Sequence, residues 1–216
     1  MSETSIPLSS TVRSLGVLLD QRLSLEDHVK NVCRVCNYHI KGLRSLRGSL
    51  DSSTAETIGR SIVMSRLDYC NSLLIGTSRR NIHRLQMVQN NLARVVSGVN
   101  FRENVHHVLT ALHWLPVEQR IKFKVNVLVF KSRINCLPDY LSRDLTVYSS
   151  VRPIRSGLQN TYVVPRVKNE IAKHSFSYAG PKQWNDLPDN IRSISSLPVF
   201  KKHLKTFLFC NNLGIN

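Results

Sequence analysis

Residues 24–46 read SLEDHVKNVCRVCNYHIKGLRSL, and this stretch decides the fold class. Its apolar side chains recur every three or four residues, at Leu25, Val29, Val32, Cys36, Ile40, Leu43 and Leu46. That spacing places them on one stripe of an amphipathic helix. Ser24, followed three residues later by Asp27, resembles a capping start for this helix, with Asp where Glu is usual. The stretch therefore predicts a long helix that buries one face.

Two further stretches with helical spacing follow. Asp51, Ser52 and Ser53 offer N-caps to a second helix, whose apolar residues run from 58 to 74. A third helix begins after residues 76–78, ends near residues 97–98 and buries Ile82, Leu85, Val88, Leu92 and Val95. Three helices with short connections predict an antiparallel bundle.

The segments on either side of these helices are shorter. Residues 12–20 (VRSLGVLLD) predict a strand that ends in a turn. Residues 104–114 predict a short helix, and 117–135 predict a longer one that begins after Pro116. Residues 138–145 predict one more helical turn.

The C-terminal part shows mixed signals. Residues 147–160 hold few apolar side chains and predict a loop. Residues 162–164 and 175–178 predict a short hairpin, 183–187 a short helix and 199–210 a closing amphipathic helix.

The predicted fold is mainly α. It has an N-terminal strand, an antiparallel helical bundle, further helices and a small α+β C-terminal part with a short hairpin. The predicted segments are 1–22, 23–100, 101–146 and 147–216.

The charge of the chain is unusual. Of its 216 residues, 30 are Lys or Arg and 14 are Asp or Glu, which gives a net charge of +16. Residues 1–110 carry 14 basic against 8 acidic side chains, and residues 111–216 carry 16 against 6. Such an excess favours contact with phosphate backbones, and binding should then weaken steeply with salt. The alternative is a basic surface left over from a larger assembly.

Five cysteines lie at 33, 36, 70, 136 and 210, and the sequence shows no secretory start and no long apolar run. Reduced thiols in the nucleus or cytoplasm fit this pattern, without a signal peptide or a membrane-spanning segment. Cys33 and Cys36 have no second ligand pair, and both lie on the helical stripe. We expect no metal site and no cofactor.

Carboxylates bear on catalysis. Phosphoryl transfer assisted by two metal ions needs closely spaced aspartates that hold those ions. The sequence contains no Asp-Asp pair, and Asp20, Asp27, Asp51 and Asp68 are explained by turns, caps or helix surfaces. We therefore expect no catalytic residues and no enzyme activity from this chain alone.

Several blocks of sequence, taken in order, resemble the C-terminal region of the reverse transcriptase of LINE-type, non-LTR, Jockey-like retrotransposons. They are residues 67–74 (LDYCNSLL), 85–90 (LQMVQN), 111–124 (ALHWLPVEQRIKFK), 183–188 (QWNDLP) and 200–209 (FKKHLKTFLF). The resemblance implies that residues 23–100 are thumb-like and hold a primer–template duplex. The endonuclease, fingers and palm of that family are not found in these 216 residues, so the resemblance implies a truncated RNA-directed DNA polymerase of a transposable element.

Nine basic side chains are the candidate nucleic-acid-binding residues: Arg79, Arg80, Arg84, Lys122, Lys124, Lys131, Lys201, Lys202 and Lys205. For the lysines, a simply solvated helix face is an equal alternative. Trp114, Tyr140 or Trp184 could stack on bases, but core anchors are the better interpretation of both tryptophans.

These residues favour a non-catalytic fragment that holds RNA–DNA or RNA duplex, or template RNA, by backbone contacts with little sequence specificity. The main alternative is a co-opted helical protein-interaction module without a nucleic-acid role.

Overall fold

A computed structural model describes residues 9–100, 102–149 and 160–213. Its contacts divide the chain into two compact units. The first unit contains the described residues up to 67 together with 77–100, and the second contains 68–76 and the described residues beyond 101. Helices dominate both units, which confirms the predicted mainly α fold.

An antiparallel hairpin opens the first unit. Strand β1 (Thr11–Ser14) pairs with β2 (Val17–Asp20). Leu15 and Gly16 join the strands with φ angles of 45° and 82°. A two-residue type I′ turn needs positive φ at both of these positions. The single strand predicted over residues 12–20 is therefore two strands, because the chain reverses at Gly16.

Asp20 organises the loop that leads into helix α1 (Glu26–Leu46). Its carboxylate accepts hydrogen bonds from the backbone N–H groups of Arg22, Ser24 and Leu25. Leu25 is the N-cap, in the left-handed conformation with φ 58°, and contributes no side-chain cap. The capping start predicted at Ser24 is confirmed in part, because the Ser24 hydroxyl accepts from the Glu26 N–H at 3.3 Å, although the N-cap position itself is Leu25.

The second predicted helix is interrupted. Helix α2 (Ser52–Gly59) follows Asp51, whose carboxylate accepts from the N–H groups of Ser53 and Thr54. A π turn (Arg60–Met64) leads into α3 (Ser65–Asp68). Cys70 then adopts φ 51°, and a separate 3-10 turn (Asn71–Leu74) follows. The helix predicted to reach residue 74 ends earlier, because a left-handed residue cannot continue an α-helix.

Helix α4 (Arg79–Ser97) has the predicted ends. The Ser78 hydroxyl accepts from the Asn81 N–H at its start, and Gly98 is left-handed at its end. Its buried residues, among them Leu85, Val88 and Leu92, pack against α1, and α2 packs against both. Helices α1, α2 and α4 thus form the core of the first unit, whereas residues 68–74 of the second predicted stretch belong to the second unit.

Arg47, just after α1, ties two helix ends together. Its Nε donates to the carbonyl oxygens of Val95 at 3.0 Å and Val96 at 3.2 Å, in the last turn of α4. Its Nη1 donates to the carbonyl oxygen of Leu50 at 2.6 Å. A cation is favourable there, because the carbonyls of a last helical turn lack helical partners and carry partial negative charge.

The second unit contains the remaining helices: α5 (Val105–Ala111), α6 (Val117–Arg133), α7 (Asp139–Ser142), α8 (Phe176–Asn185), α9 (Asp189–Arg192) and α10 (Leu197–Leu213). A 3-10 turn (Ile171–His174) precedes α8. Helix α6 is central, since α8, α10 and the turn Asn71–Leu74 all pack against it.

Three fully buried aromatic rings form the centre of this unit. Phe130 stacks on Phe200 with ring centroids 4.3 Å apart, and Trp184 lies 5.6 Å from Phe200. The Trp184 indole N–H donates to the carbonyl oxygen of Asn160 at 2.7 Å. The Asn185 side chain bonds both the N–H and the carbonyl of Tyr162. Residues 184–185 therefore fix the chain at residues 160–162.

The predicted C-terminal hairpin is wrong, because neither residues 162–164 nor residues 175–178 form a strand. Ser175 is the N-cap of α8, and Phe176, Ser177 and Tyr178 form the first turn of that helix. Tyr162 instead forms an isolated antiparallel bridge with Val147. Alternating side chains at 175–178 fit a strand and a helix start equally in so short a run. The loop predicted over 147–160 falls partly outside the described residues, which omit 150–159.

Candidate nucleic-acid interface

The start of α4 carries two exposed arginines. Arg79 and Arg80 occupy the first helical positions after the Ser78 N-cap, and both are exposed. No acidic residue lies in this first turn. The N-terminal end of a helix already bears partial positive charge, so this pair of cations does not serve helix stability. The arrangement suits an external anion.

Arg84, one turn further along α4, has an internal partner. Its Nη1 lies 3.0 Å from Oε1 of Glu26 at the start of α1. Hydrogen bonds from Arg84 and Lys30 hold the pKa of Glu26 below its usual value. Arg84 thus lies on the same helix as Arg79 and Arg80, but its guanidinium pairs with Glu26 and joins α4 to α1.

The three candidate lysines of α6 differ from one another. Lys122 lies 2.8 Å from the Glu118 carboxylate, Lys124 is exposed, and Lys131 is half-buried. Because α6 packs on several neighbours, it has no broad exposed face. The sequence could not show this, since the helix reads as an ordinary amphipathic one.

Helix α10 presents a clear basic face. Phe200, Leu204 and Leu208 are buried, whereas Lys201, Lys202 and Lys205 are exposed together with His203. Residues spaced three or four apart share a face, so the buried and basic sides of this helix are separated. Exposure of these lysines agrees with the prediction, and binding by them remains a prediction.

Helix α1 adds a basic surface that the candidate residues omit. Residues 28–50 contain no Asp or Glu but five Lys or Arg side chains. Arg34, Lys41 and Arg44 are exposed along it. The acid-free run at residues 28–50 is the sequence signal for this surface.

Both tryptophans are core residues. Trp114 is 4% exposed and Trp184 is fully buried. This confirms their interpretation as core anchors and leaves neither ring free to stack on a base. Tyr140, by contrast, is 69% exposed at the start of the second unit's short helix α7.

Asp68 has a structural partner. Two guanidinium nitrogens of Arg120 donate to the Asp68 carboxylate, with Nε 2.8 Å from Oδ1. The Asn71 side-chain amide also donates to Oδ1, at 3.3 Å. Asp20 and Asp51 are occupied by the loop and cap bonds described above. Within the described residues, no group of three or more His, Cys, Asp or Glu side chains is placed to hold a metal ion.

Cys36 is an interior thiol. It is fully buried on α1, and burial raises its pKa to about 12. Burial also raises the pKa of Cys33, which is half-buried. Cys36 therefore behaves as a small apolar side chain, as expected for the stripe. None of the described helices has the length and apolar content needed to cross a bilayer.

Comparison with known proteins gives a relative. Over 103 residues, 45% of this chain, the sequence is 29% identical to the probable RNA-directed DNA polymerase from transposon X-element of Drosophila melanogaster. The chain is related to a retrotransposon RNA-directed DNA polymerase. It spans 11% of the length of that polymerase. No protein-family model matches the chain, and no solved structure does.

Proposed function

We propose that this chain is a non-catalytic, nucleic-acid-binding part of a LINE-type, Jockey-like reverse transcriptase. In this proposal the helices α1 to α4 are a thumb that holds an RNA–DNA or RNA duplex. The contacts are made to the phosphate backbone and so depend little on sequence.

The charge balance carries the proposal. Even if every Asp and Glu were paired, 16 of the 30 Lys and Arg side chains would still lack an acidic partner in the chain. The exposed Arg79 and Arg80 and the basic face of α10 supply such cations on helix surfaces. The relation to an RNA-directed DNA polymerase supports nucleic acid as the polyanion.

Substitution of the exposed arginines tests the site. The double variant Arg79→Gln, Arg80→Gln should weaken binding of an RNA–DNA hybrid and flatten its salt dependence by a little less than one log–log slope unit per lost phosphate contact. Arg60→Gln is the matched control, because Arg60 is exposed but already lies 3.4 Å from Glu56. Fluorescence anisotropy at several KCl concentrations provides the measurement. Equal losses in both variants would count against a defined interface.

A primer-extension assay tests the absence of catalysis. With Mg²⁺, nucleotides and a primed RNA template, we expect no extension by this chain. The expectation rests on the lack of an Asp-Asp pair and on the structural partners of Asp20, Asp51 and Asp68. Extension that survives purification of the chain would overturn this part of the proposal.

A further inference from the structure

The first unit contains an apolar groove that the proposed nucleic-acid role does not use. It lies between α1 and the segment formed by α2 and the π turn, and its volume is about 530 Å³. Tyr38, Gly42 and Leu46 form one wall, and Ile58 and Ile62 form the other. Tyr38 and Leu46 are 75% and 59% exposed, although both are large and apolar in their bulk.

Gly42 leaves space in this groove. A Cβ atom built on it would meet no atom within 4 Å, so no packing partner in the described chain requires glycine there. Glycine destabilises a helix interior relative to alanine. Gly42 thus lowers helix propensity in α1 and leaves its wall of the groove without a side chain. At Gly59, on the other wall, a built Cβ atom would instead lie 3.0 Å from Leu92 and 3.3 Å from Val96.

The rim of the groove is basic on its α1 side. Lys41 lines the groove and is exposed, and the exposed Arg34 lies one turn before Tyr38 on the same helix face. Residues 28–50 contain no acid that could neutralise these cations. Glu56 in α2 already pairs with Arg60 of the π turn.

We propose that this groove binds the apolar face of an amphipathic helix that carries acidic residues and belongs to a partner protein. Helix-in-groove recognition needs an apolar channel for side chains spaced three or four residues apart. The basic rim complements acidic residues at the edges of such a helix. This role is additional to phosphate binding and does not depend on it.

Two other occupants fit less well. A nucleobase could stack on Tyr38 but would lose hydrogen bonds to water against the aliphatic side chains of Leu46, Ile58 and Ile62, and the Ser45 hydroxyl already donates to the Gly42 carbonyl. A second copy of this chain would bring its own net charge of +16 against a basic rim.

A displayed library of helical peptides, about four turns long, provides the probe. Selection on the wild-type chain is followed by counter-selection on Gly42→Leu, which fills the groove with a residue of higher helix propensity. The matched control is Gly48→Leu, because Gly48 also has no atom within 4 Å of a built Cβ but does not line the groove. Thermal unfolding of each variant separates loss of binding from loss of fold.

The selected peptides should be acidic, with apolar residues at positions i, i+3, i+4 and i+7. In anisotropy titrations they should bind Gly42→Leu about tenfold more weakly and Gly48→Leu unchanged. Lys41→Glu should weaken them about threefold. The proposal would be overturned by a library without enriched peptides, by selected peptides that lack acidic residues, or by equal binding to Gly42→Leu. It would also be overturned if single-stranded RNA displaced the peptides, or if the chain self-associated in a way that Gly42→Leu abolishes.

Discussion

At the residue scale, Asp68 shows how a family-like motif can be structural. Its carboxylate joins residues 67–74 to Arg120, within residues 111–124, and so links two of the blocks that resemble reverse transcriptases. Two-nitrogen arginine–carboxylate pairs are among the stronger ion pairs even when partly exposed. The motif therefore positions the turn Asn71–Leu74 against α6.

Replacement of Asp68 by Asn should lower the free energy of unfolding by about 1–2 kcal/mol, because the pair with Arg120 and the bond from Asn71 are weakened together. Urea unfolding provides the measurement. A double-mutant cycle with Arg120→Gln isolates the pairwise energy. If the two substitutions add without coupling, the pair contributes no net stability.

Asp20 predicts a pH dependence. Burial acts to raise the pKa of its carboxyl group, but hydrogen bonds from Ser24 and Leu25, then from Arg22, outweigh burial and lower the pKa. A carboxyl group with a lower pKa in the folded state stabilises the fold above its unfolded pKa of about 3.9. That contribution is lost as the pH falls through the folded pKa.

The unfolding free energy of the wild type should therefore fall as the pH drops from about 5 towards 2. Asp20→Asn should already be less stable at pH 5 and should show a shallower decline. Urea titrations across this pH range measure both slopes, with Asp186→Asn, an exposed aspartate, as the control. Parallel curves for wild type and Asp20→Asn would contradict the role assigned to Asp20.

At the element scale, helix α4 depends on Arg47 for its C-terminal end. The guanidinium bonds two carbonyl oxygens of the last turn and one beyond α1. Arg47→Met keeps most of the aliphatic stem but leaves these acceptors without the cation. We expect a loss of about 1–3 kcal/mol in unfolding free energy.

Hydrogen exchange of the α4 amides provides a local readout of that loss. Protection should fall in the last turns of α4 more than in α10, which belongs to the other unit. Arg44→Met is the control, because Arg44 is exposed on α1. Equal effects of the two substitutions would show that Arg47 does not act as a cap.

Helical stripes made most elements predictable. The apolar spacing located α1, α4, α6 and α10, and the ends of α4 followed from Ser78 and Gly98. The failures lie where a non-glycine residue adopts positive φ, as at Leu25 and Cys70. The residue types Leu and Cys do not predict a left-handed backbone, because they seldom adopt it. At Leu25 it accompanies the hydrogen bonds that Asp20 accepts from the loop before α1.

The candidate site was predictable in part. Exposure of the α10 lysines follows from the position of Phe200, Leu204 and Leu208 on the opposite face. The partner of Arg84 could not be inferred, since Glu26 lies far from it in sequence and only packing of α1 on α4 brings the two together. Long-range pairs of this kind are absent from any local pattern.

At the scale of the whole molecule, net charge is the property that bears on function. The 16 positive charges in excess repel one another within the folded chain, and a bound polyanion reduces this repulsion. This excess is distributed over both halves of the sequence, so a binding partner that reaches both would gain most.

The salt dependence of duplex binding tests this claim most directly. The intact chain is titrated into a fluorescent RNA–DNA hybrid at KCl concentrations from about 50 to 200 mM, the range over which phosphate contacts respond strongly. We predict a linear, steeply negative plot of log affinity against log salt, with similar slopes for unrelated duplex sequences. Affinity that stays constant across this range, or no measurable binding at the lowest salt, would contradict the account.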